Sequence, residues 1–449
     1  MNKRPIIVFA FAFLFGGTSF AQEAKGFTLE EAVKHAVEHN YQLQRARLDI
    51  DLSKGKVKET TAIGLPQISG EASYNNFIDI PTQVAEASAF DPSAPAGILV
   101  PLQFGLPHSM SAGINASQLL FDGSYFVGLK AAKEYVKSSE YALTRSEIEV
   151  KTSVTQTYYS ALAAQENIEA LIENKANMEQ IFKETNAFYE SGFLEKQDAD
   201  QMKLLRSNVS IQLDYAERQL ESVINLLKYQ MGLAIETEIT LSDDIDAVVS
   251  NQSLSDGALI DQAFNADNHI DLISLDQGLK LTELSLSNER ARYYPQLSAF
   301  FNHSQNAYRN KFNFLNDDQW YPTTLWGVQL RVPIFSSGQG HQRVQQAKIE
   351  LAKIQNQKLE VREGLTMQVV NAKNTYRSSL SRYETTMEDL ELAKSIKDRT
   401  RTKYNEGLAS STDLTSAENQ YLTSLGNYIN TTLELLNSKL ALDKALGNF

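Results

Sequence analysis

Two long stretches of the chain, Ser124 to Tyr189 and Gly340 to Tyr404, contain no proline and end in the same frame. Residues 189–198 read YESGFLEKQD and residues 404–413 read YNEGLASSTD, so Y-x-x-G-(x)5-D occurs twice, 215 residues apart. The same offset links Gly123 with Gly338, Lys133 with Lys348, Val154 with Val369 and Gly232 with Gly447. An offset held without gaps over about a hundred residues is the mark of an internal duplication. In the second stretch Val344, Ala347, Leu351, Ile354, Val361, Leu365, Val369, Ala372, Tyr376 and Leu380 recur mainly at steps of three and four, which predicts one continuous packed helix. At 1.5 Å per residue either stretch reaches ~100 Å. A single rod of that length leaves its apolar seam in water, so a bend at Gly192 and another at Gly407 must each fold a second helix back, over 194–231 and 409–446.

The N-terminal stretch MNKRPIIVFAFAFLFGGTSFAQ sets Lys3 and Arg4 before an apolar run from Ile6 to Phe15, with Ser19-Phe20-Ala21 ahead of Gln22. That layout predicts a cleavable signal peptide over 1–21 and hence an exported chain. No other segment approaches the ~18 uninterrupted apolar residues of a spanning helix, so membrane contact must use strands. The absence of cysteine excludes disulfides, thiolate metal sites, a cysteine nucleophile and a lipid-modified N-terminal cysteine. The net charge of -13, more negative still without Lys3 and Arg4, disfavours a nucleic-acid partner.

The remaining parts of the duplication alternate helix with strand. Leu65-Pro66-Gln67-Ile68-Ser69 matches Tyr294-Pro295-Gln296-Leu297-Ser298, each after a helical segment and before strand-like sequence. A first repeat over 22–232 holds a helix at 28–62, strands at 65–80 and 109–122, and helices at 124–190 and 194–231. A linker over 233–257 fits neither pattern and is expected to pack outside the bundle. The second repeat, 258–449, holds a helix at 258–291, strands at 293–305 and 323–336, and helices at 340–404 and 409–446. Strands of ~10 residues suit a tilted outer-membrane barrel. The loops at 77–108 and 306–322 are rich in proline and aromatics, with Phe312, Phe314, Trp320 and Tyr321 suited to an interfacial girdle. Four strands cannot close a sheet, and open edges are not tolerated in lipid, so several chains must pool their strands. Two chains give eight strands and a filled interior; three give twelve and room for a channel.

In this arrangement the chain resembles the TolC family of outer-membrane efflux proteins over essentially its whole mature length. The resemblance is carried by the doubled Leu/Tyr-Pro-Gln at 65–67 and 294–296, by Gln118-Leu119-Leu120-Phe121-Asp122-Gly123 closing a strand, and by the Y-x-x-G-(x)5-D turns. It implies a mainly helical fold with some strand, in which a homotrimer builds a 12-stranded transmembrane barrel, four strands per chain, continued by a long periplasmic α-helical coiled-coil barrel. It implies a passive export duct in the outer membrane, in contact with its lipid, joined through a periplasmic adaptor (membrane fusion) protein to an inner-membrane efflux transporter, with no cofactor. The two bends become the periplasmic tips, where Gly192, Phe193, Gly407 and Leu408 make the turns and meet the adaptor. By position Asp198 and Tyr404 match polar residues that tie neighbouring helices in the closed state, and Asp413 matches an acidic residue lining the entrance. Ala409 and Ser416 depart from the family pattern, standing where its best-studied member has a locking arginine and a second acidic residue.

Each bend also has a plain structural reading. Glycine after a last helical turn is commonly a C-cap, and Ser410 to Asp413 include good N-cap residues. His35-Ala36-Val37-Glu38-His39 spells H-x-x-E-H, the pattern of one class of zinc proteases. Its repeat counterpart, Asn265-Ala266-Asp267-Asn268-His269, keeps neither the pair nor the glutamate, so solvated helix residues account for it better than a zinc hydrolase. No catalytic or metal constellation is read from the sequence. The structural rival is a periplasmic coiled-coil scaffold without a pore, against which the paired strands and aromatic loops weigh.

Overall fold

The computed structural model describes residues 25–251, 258–316 and 319–449; the expected signal peptide at 1–21 lies outside the described residues. In chain order the elements are β1 (Lys25–Phe27), α1 (Leu29–His39), α2 (Tyr41–Ile63), β2 (Gln67–Asn76), β3 (Thr82–Glu86), β4 (Leu99–Gln103), β5 (His108–Asp122), α3 (Gly123–Glu190) and α4 (Lys196–Met231). They continue with β6 (Ile239–Leu241), α5 (Ile245–Asn251), α6 (Ala258–Asp261), α7 (Ile270–Ala291), β7 (Gln296–Arg309), β8 (Tyr321–Arg331), α8 (Gln339–Asn405) and α9 (Ser411–Leu446). The chain forms two compact units. One comprises residues up to Gln44 with Glu147–Ala263 and Val369–Phe449; the other comprises Arg45–Ser146 and Phe264–Gln368. Each draws on both halves of the duplicated sequence.

Several elements differ from the sequence expectation, each for a local reason. The helix expected over 28–62 breaks at Asn40, whose backbone turns out at ψ 132 and whose Oδ1 accepts from the amides of Gln42 (2.8 Å) and Leu43 (3.3 Å). A short polar side chain that satisfies the orphan amides of a new helix start competes with helix continuation. The helix expected over 258–291 is likewise interrupted: Asn265 Oδ1 accepts from Asp267 N at 3.0 Å, and α7 starts only after His269, whose ring nitrogen caps Asp271 N. The strand expected over 323–336 runs instead over Tyr321–Arg331. Pro333 has no amide to give a ladder, so the strand stops short of it. Within the expected loop 77–108, β3 and β4 pair as an antiparallel hairpin from Thr82↔Gln103 to Glu86↔Leu99.

In the first unit the core follows the three-four seam. Leu171, Met178 and Ile181 of α3 meet Met202, Leu205, Val209 and Leu213 of α4, with Leu414 of α9 closing the cluster. Burying each such side chain contributes about 1.5–3 kcal/mol. Residues 233–251 of the expected linker are tied into this unit. β6 pairs in parallel with β1, and the buried Tyr158 hydroxyl lies 2.9 Å from Asp243 Oδ2 and 2.8 Å from Phe27 O. Asp243 Oδ2 also accepts from Leu29 N at 2.7 Å.

In the second unit four strands form an antiparallel sheet in the order β2-β5-β7-β8, so β2 and β8 are its edges. A register shift between Leu119 and Phe121 bends β5 just before α3 begins. Asp122 Oδ1 accepts from Ser124 N at 2.7 Å, which starts that helix where the strand ends. Glu134 of α3 accepts from Lys280 Nζ (2.9 Å) and Gln277 Nε2 (3.1 Å) of α7, and these bonds hold its carboxyl down to about 2.

Candidate functional site

Both bends are built on the same backbone device. Gly192 and Gly407 have φ of 81° and 75°, in the left-handed region that favours glycine. Gly192 N donates to Tyr189 O and Phe193 N to Phe188 O, each at 2.9 Å; Gly407 N donates to Tyr404 O (3.0 Å) and Leu408 N to Lys403 O (2.7 Å). Paired bonds of this kind satisfy the last carbonyls of α3 and α8 and throw the chain sideways. The residue after each glycine then projects into solvent, Phe193 at 79% and Leu408 at 74% exposure. Ala409 lines an open cavity of about 490 Å3 with Phe188, Phe193, Leu194 and Tyr404.

The polar residues of the bends divide into two kinds. Asp413 closes a capping box: its Oδ2 accepts from Ser410 N (3.0 Å) and Ser410 Oγ (2.7 Å), while its own amide donates to Ser410 Oγ (3.1 Å). The Ser410 hydroxyl and amide hold the Asp413 carboxyl below the usual aspartate range. Asp413 stays exposed, and its Oδ1 has no partner among the described residues. Asp198, at the matching place in the other bend, accepts from Glu195 N at 3.3 Å and from the hydroxyl of Ser411, the first residue of α9. Tyr404 lies half-buried with its hydroxyl 2.7 Å from that of Thr185 on α3. Burial raises the phenol above its ordinary value, and the carboxylates of Asp198 and Glu184 add to the effect.

Within one chain, therefore, Tyr404 is bonded to Thr185, and Asp198 is bonded to Ser411. Thr185 was not singled out from the sequence, and Ser411 was read only among the possible N-cap residues. The signal for Thr185 was its place on the apolar seam after Met178 and Ile181, where a polar side chain needs a partner. The H-x-x-E-H residues sit on α1. His35 Nδ1 lies 3.1 Å from Met231 O, His39 Nδ1 lies 3.1 Å from His35 O, and the two rings stack at 4.2 Å. Both Nδ1 atoms are thus spent on main-chain carbonyls, and among the described residues no group of three or more His, Cys, Asp or Glu could hold a metal ion.

The sheet of the second unit has two chemically distinct faces. Register places Ile68, Ala116, Phe301 and Trp326 side by side on one face, followed along it by Ile114, Ala299 with Val328, and Leu297 with Leu330. The other face is mainly polar, with Gln67, Ser69, Glu71 and Ser73 on β2, Asn115 and Ser117 on β5, Ser298, Asn302, Ser304 and Asn306 on β7, and Gln329 on β8, though Phe300 and Leu325 also lie on it, as His303 and Thr324 lie on the first. The apolar side chains are not covered within the chain: Ile68 is 73% and Trp326 75% exposed. Of the aromatics expected as a girdle, Phe314 is instead buried in a cluster with Tyr74, Phe312 and Trp320 at ring separations of 5.5–6.5 Å.

A sheet with one bare apolar face, one polar face and two open edges suits strands that border lipid on one side and water on the other. Together with paired helical hairpins it defines a membrane-seated channel protein. The sequence profile of the family described as outer membrane efflux protein matches residues 32–229 and 265–448, and the chain belongs to that family. It is accordingly an export duct of the outer membrane, the class used by efflux systems.

The outer membrane protein TolC of Vibrio cholerae is 23% identical over 422 residues, covering 93% of this chain and 90% of that protein. The cation efflux system protein CusC of Escherichia coli O157:H7 is 22% identical over 340 residues, 72% of this chain and 64% of that one. Among solved structures, the CmeC outer membrane channel of Campylobacter jejuni superposes with a TM-score of 0.70 at 18% identity, covering 100% of this chain and 94% of its own. The open state of the Neisseria gonorrhoeae MtrE outer membrane channel superposes with 0.69 at 16% identity, covering 93% and 88%. These two likenesses establish the fold.

Proposed function

We propose that three copies of the chain pool their four-stranded sheets into a 12-stranded barrel, which continues as a periplasmic tube of helices and carries cargo outward without chemistry of its own. The observation that carries this reading is the unsatisfied sheet. β2 and β8 are free edges on either side of one apolar and one polar face, and lipid tolerates no open edge. Pairing β8 of one chain with β2 of the next closes the sheet by a rotation that leaves no edge over, with the apolar face toward lipid and the polar face toward the lumen.

The bends at Gly192 and Gly407 then form the periplasmic mouth. Phe193 and Leu408 are bare apolar anchors of the kind a partner helix covers, so a periplasmic adaptor is received there and links the duct to an inner-membrane efflux transporter. Asp198, Tyr404 and Asp413 form the gate, with three copies of Asp413 presenting an acidic ring. Mass measurement of the outer-membrane species in mild detergent tests the assembly. A trimer is expected, and a stable monomer would refute the shared barrel.

A further inference from the structure

Above the second bend lies a buried charged cluster that neither the barrel nor the turns explain. Glu418 of α9 is 2% exposed, and its Oε2 has no hydrogen-bond partner among the described residues. Three residues further along the same helix, hence on the same face, the Tyr421 ring carries the Lys397 ammonium of α8 at 3.8 Å from its centroid. Lys397 is itself 8% exposed, and its nearest carboxylate oxygen, Asp398 Oδ1, is 4.0 Å away. A carboxyl group of α9 and an ammonium group of α8 are thus both buried, with the ammonium on the ring one turn along from the carboxyl.

We propose that Glu418 is a proton-responsive positioning residue: protonated, it leaves the Lys397 ammonium on the Tyr421 ring, and ionised, it draws that ammonium to itself, repacking α8 against α9 above the Gly407 bend. The chemistry requires one of these two arrangements. An ionised carboxylate with a bare oxygen in the interior carries a large desolvation cost, which it avoids by taking up a proton or by gaining a cation. Lys397 is the cation whose charge acts most strongly on Glu418, and its present cation–π contact is weaker than a desolvated ion pair, so its choice of partner follows the charge on Glu418.

The surroundings are mixed. From α8, Lys397 and Arg401 favour the ionised form; burial, with Asp398 acting in the same direction, outweighs both and raises the Glu418 carboxyl above the usual glutamate range. Arg401 is partly engaged, donating to Asn177 Oδ1 of α3 at 3.3 Å. Glu173 and Glu166 of α3 bear on Tyr421, whose phenol burial raises first of all. Lys397 precedes Gly407 by ten residues, ~15 Å along the helix, so the repacking reaches the bend through α8. The consequence for the duct rests on the bends forming its mouth; the titration does not.

The sign of the linkage is fixed by the raised value. In acid Glu418 is protonated whether the chain is folded or not. As pH rises past the ordinary glutamate range the unfolded chain releases the proton first, so stability falls until the folded chain has released it too.

The test uses the whole chain in detergent, with helical ellipticity followed on heating across pH 4 to 8.5. Glu418→Gln is expected to match the wild type in acid and to exceed its Tm at neutral pH, losing the downward step. Lys397→Met, which keeps most of the stem and removes the charge, is expected to keep the onset of that step and extend its end to higher pH. Identical pH profiles for wild type and Glu418→Gln would overturn the proposal, and a step that ends at the same pH in Lys397→Met would overturn the role of Lys397. Single-channel conductance over the same pH range tests the link to the mouth. A wild-type response abolished by Glu418→Gln supports it, and a response unchanged in that variant overturns the link while leaving the titration standing. Absence of any channel in the wild type would count against the proposed duct and not against the titration.

Discussion

The hydroxyl groups of Thr185 and Tyr404 lie 2.7 Å apart, joining α3 to α8 between the two bends, and Thr185 is almost wholly buried. Tyr404→Phe removes one partner and leaves the other hydroxyl in the interior, a loss of about 1–3 kcal/mol. Adding Thr185→Val should cost little more, because both polar groups are then gone. Chemical denaturation of the two single variants and the double variant measures the coupling, and full additivity of the single losses would show that the bond contributes nothing. If the bond also holds the mouth closed, Tyr404→Phe raises single-channel conductance.

Asp413 can cap α9 and line the entrance at once, because Ser410 engages only its Oδ2. A multivalent cation applied from the periplasmic side should block current in a planar bilayer, and Asp413→Asn should remove the block. Ser410→Ala separates the two roles. It takes away the hydroxyl that depresses the Asp413 carboxyl, so the carboxyl should titrate at higher pH by NMR while block at neutral pH persists. The stability contributed by the cap is present above the ordinary aspartate range and lost as pH falls through the depressed value. The destabilisation by Ser410→Ala is therefore largest at neutral pH and shrinks in acid, where the wild type loses the same contribution.

Glycines at positive φ should respond differently according to what surrounds them. At Gly407 an added Cβ meets nothing within 4 Å, so Gly407→Ala bears only the dihedral cost, about 1–2 kcal/mol. Gly232 has nearly the same φ, but a Cβ there runs into the carbonyl of His39, a main-chain group that cannot rotate away. Gly232→Ala should therefore lower the denaturation midpoint well beyond Gly407→Ala. Equal losses would mean that the close approach of Gly232 to α1 is not maintained. Gly407→Val should assemble at normal abundance and yet fail in export, since the bend that presents Leu408 is displaced.

The helical seams and the bends were legible because each rests on a repeating local rule: apolar residues at steps of three and four, and glycine where the chain turns back. The interruptions at Asn40 and Asn265 escaped notice because a capping side chain acts over two or three residues and leaves the flanking periodicity intact. Partner choice at the bends was not legible for a different reason. Asp198 meets Ser411 across 213 residues and Tyr404 meets Thr185 across 219, distances at which only the packed hairpins decide which hydroxyl arrives. The two faces of the sheet were only half visible. Alternation within β5 or β8 is blurred, and it becomes clear once register sets Trp326 beside Phe301 and Gln329 beside Ser298.

Glu134 should make the α3–α7 contact sensitive to acid. Lys280 and Gln277 hold its carboxyl at about 2, so the contact's contribution is present above the ordinary glutamate range and fades as pH falls toward that value. Lys280→Met should raise the Glu134 midpoint, so that the acid-induced loss of Tm is smaller and complete at higher pH. An unchanged acid limb in that variant would show that the ion pair is fully screened in solution.

Val328 and Gln329 are neighbours on β8 that point to opposite faces, and they give the sharpest test of the barrel. Val328 lies opposite Ala299 on the apolar face, and Gln329 lies opposite Ser298 on the polar one. An arginine facing lipid costs about 2–4 kcal/mol at mid-membrane and little near either boundary, whereas one facing the lumen remains hydrated. Val328→Arg should therefore reduce the trimer recovered from outer membranes, while Gln329→Arg assembles normally and shifts the ion preference of the channel toward anions. The pair controls for strand propensity, since both changes introduce the same side chain at adjacent positions of one edge strand. Equal recovery of the two variants, with no change in ion preference for either, would mean that neither face borders lipid or lumen and that the sheet is closed in some other way.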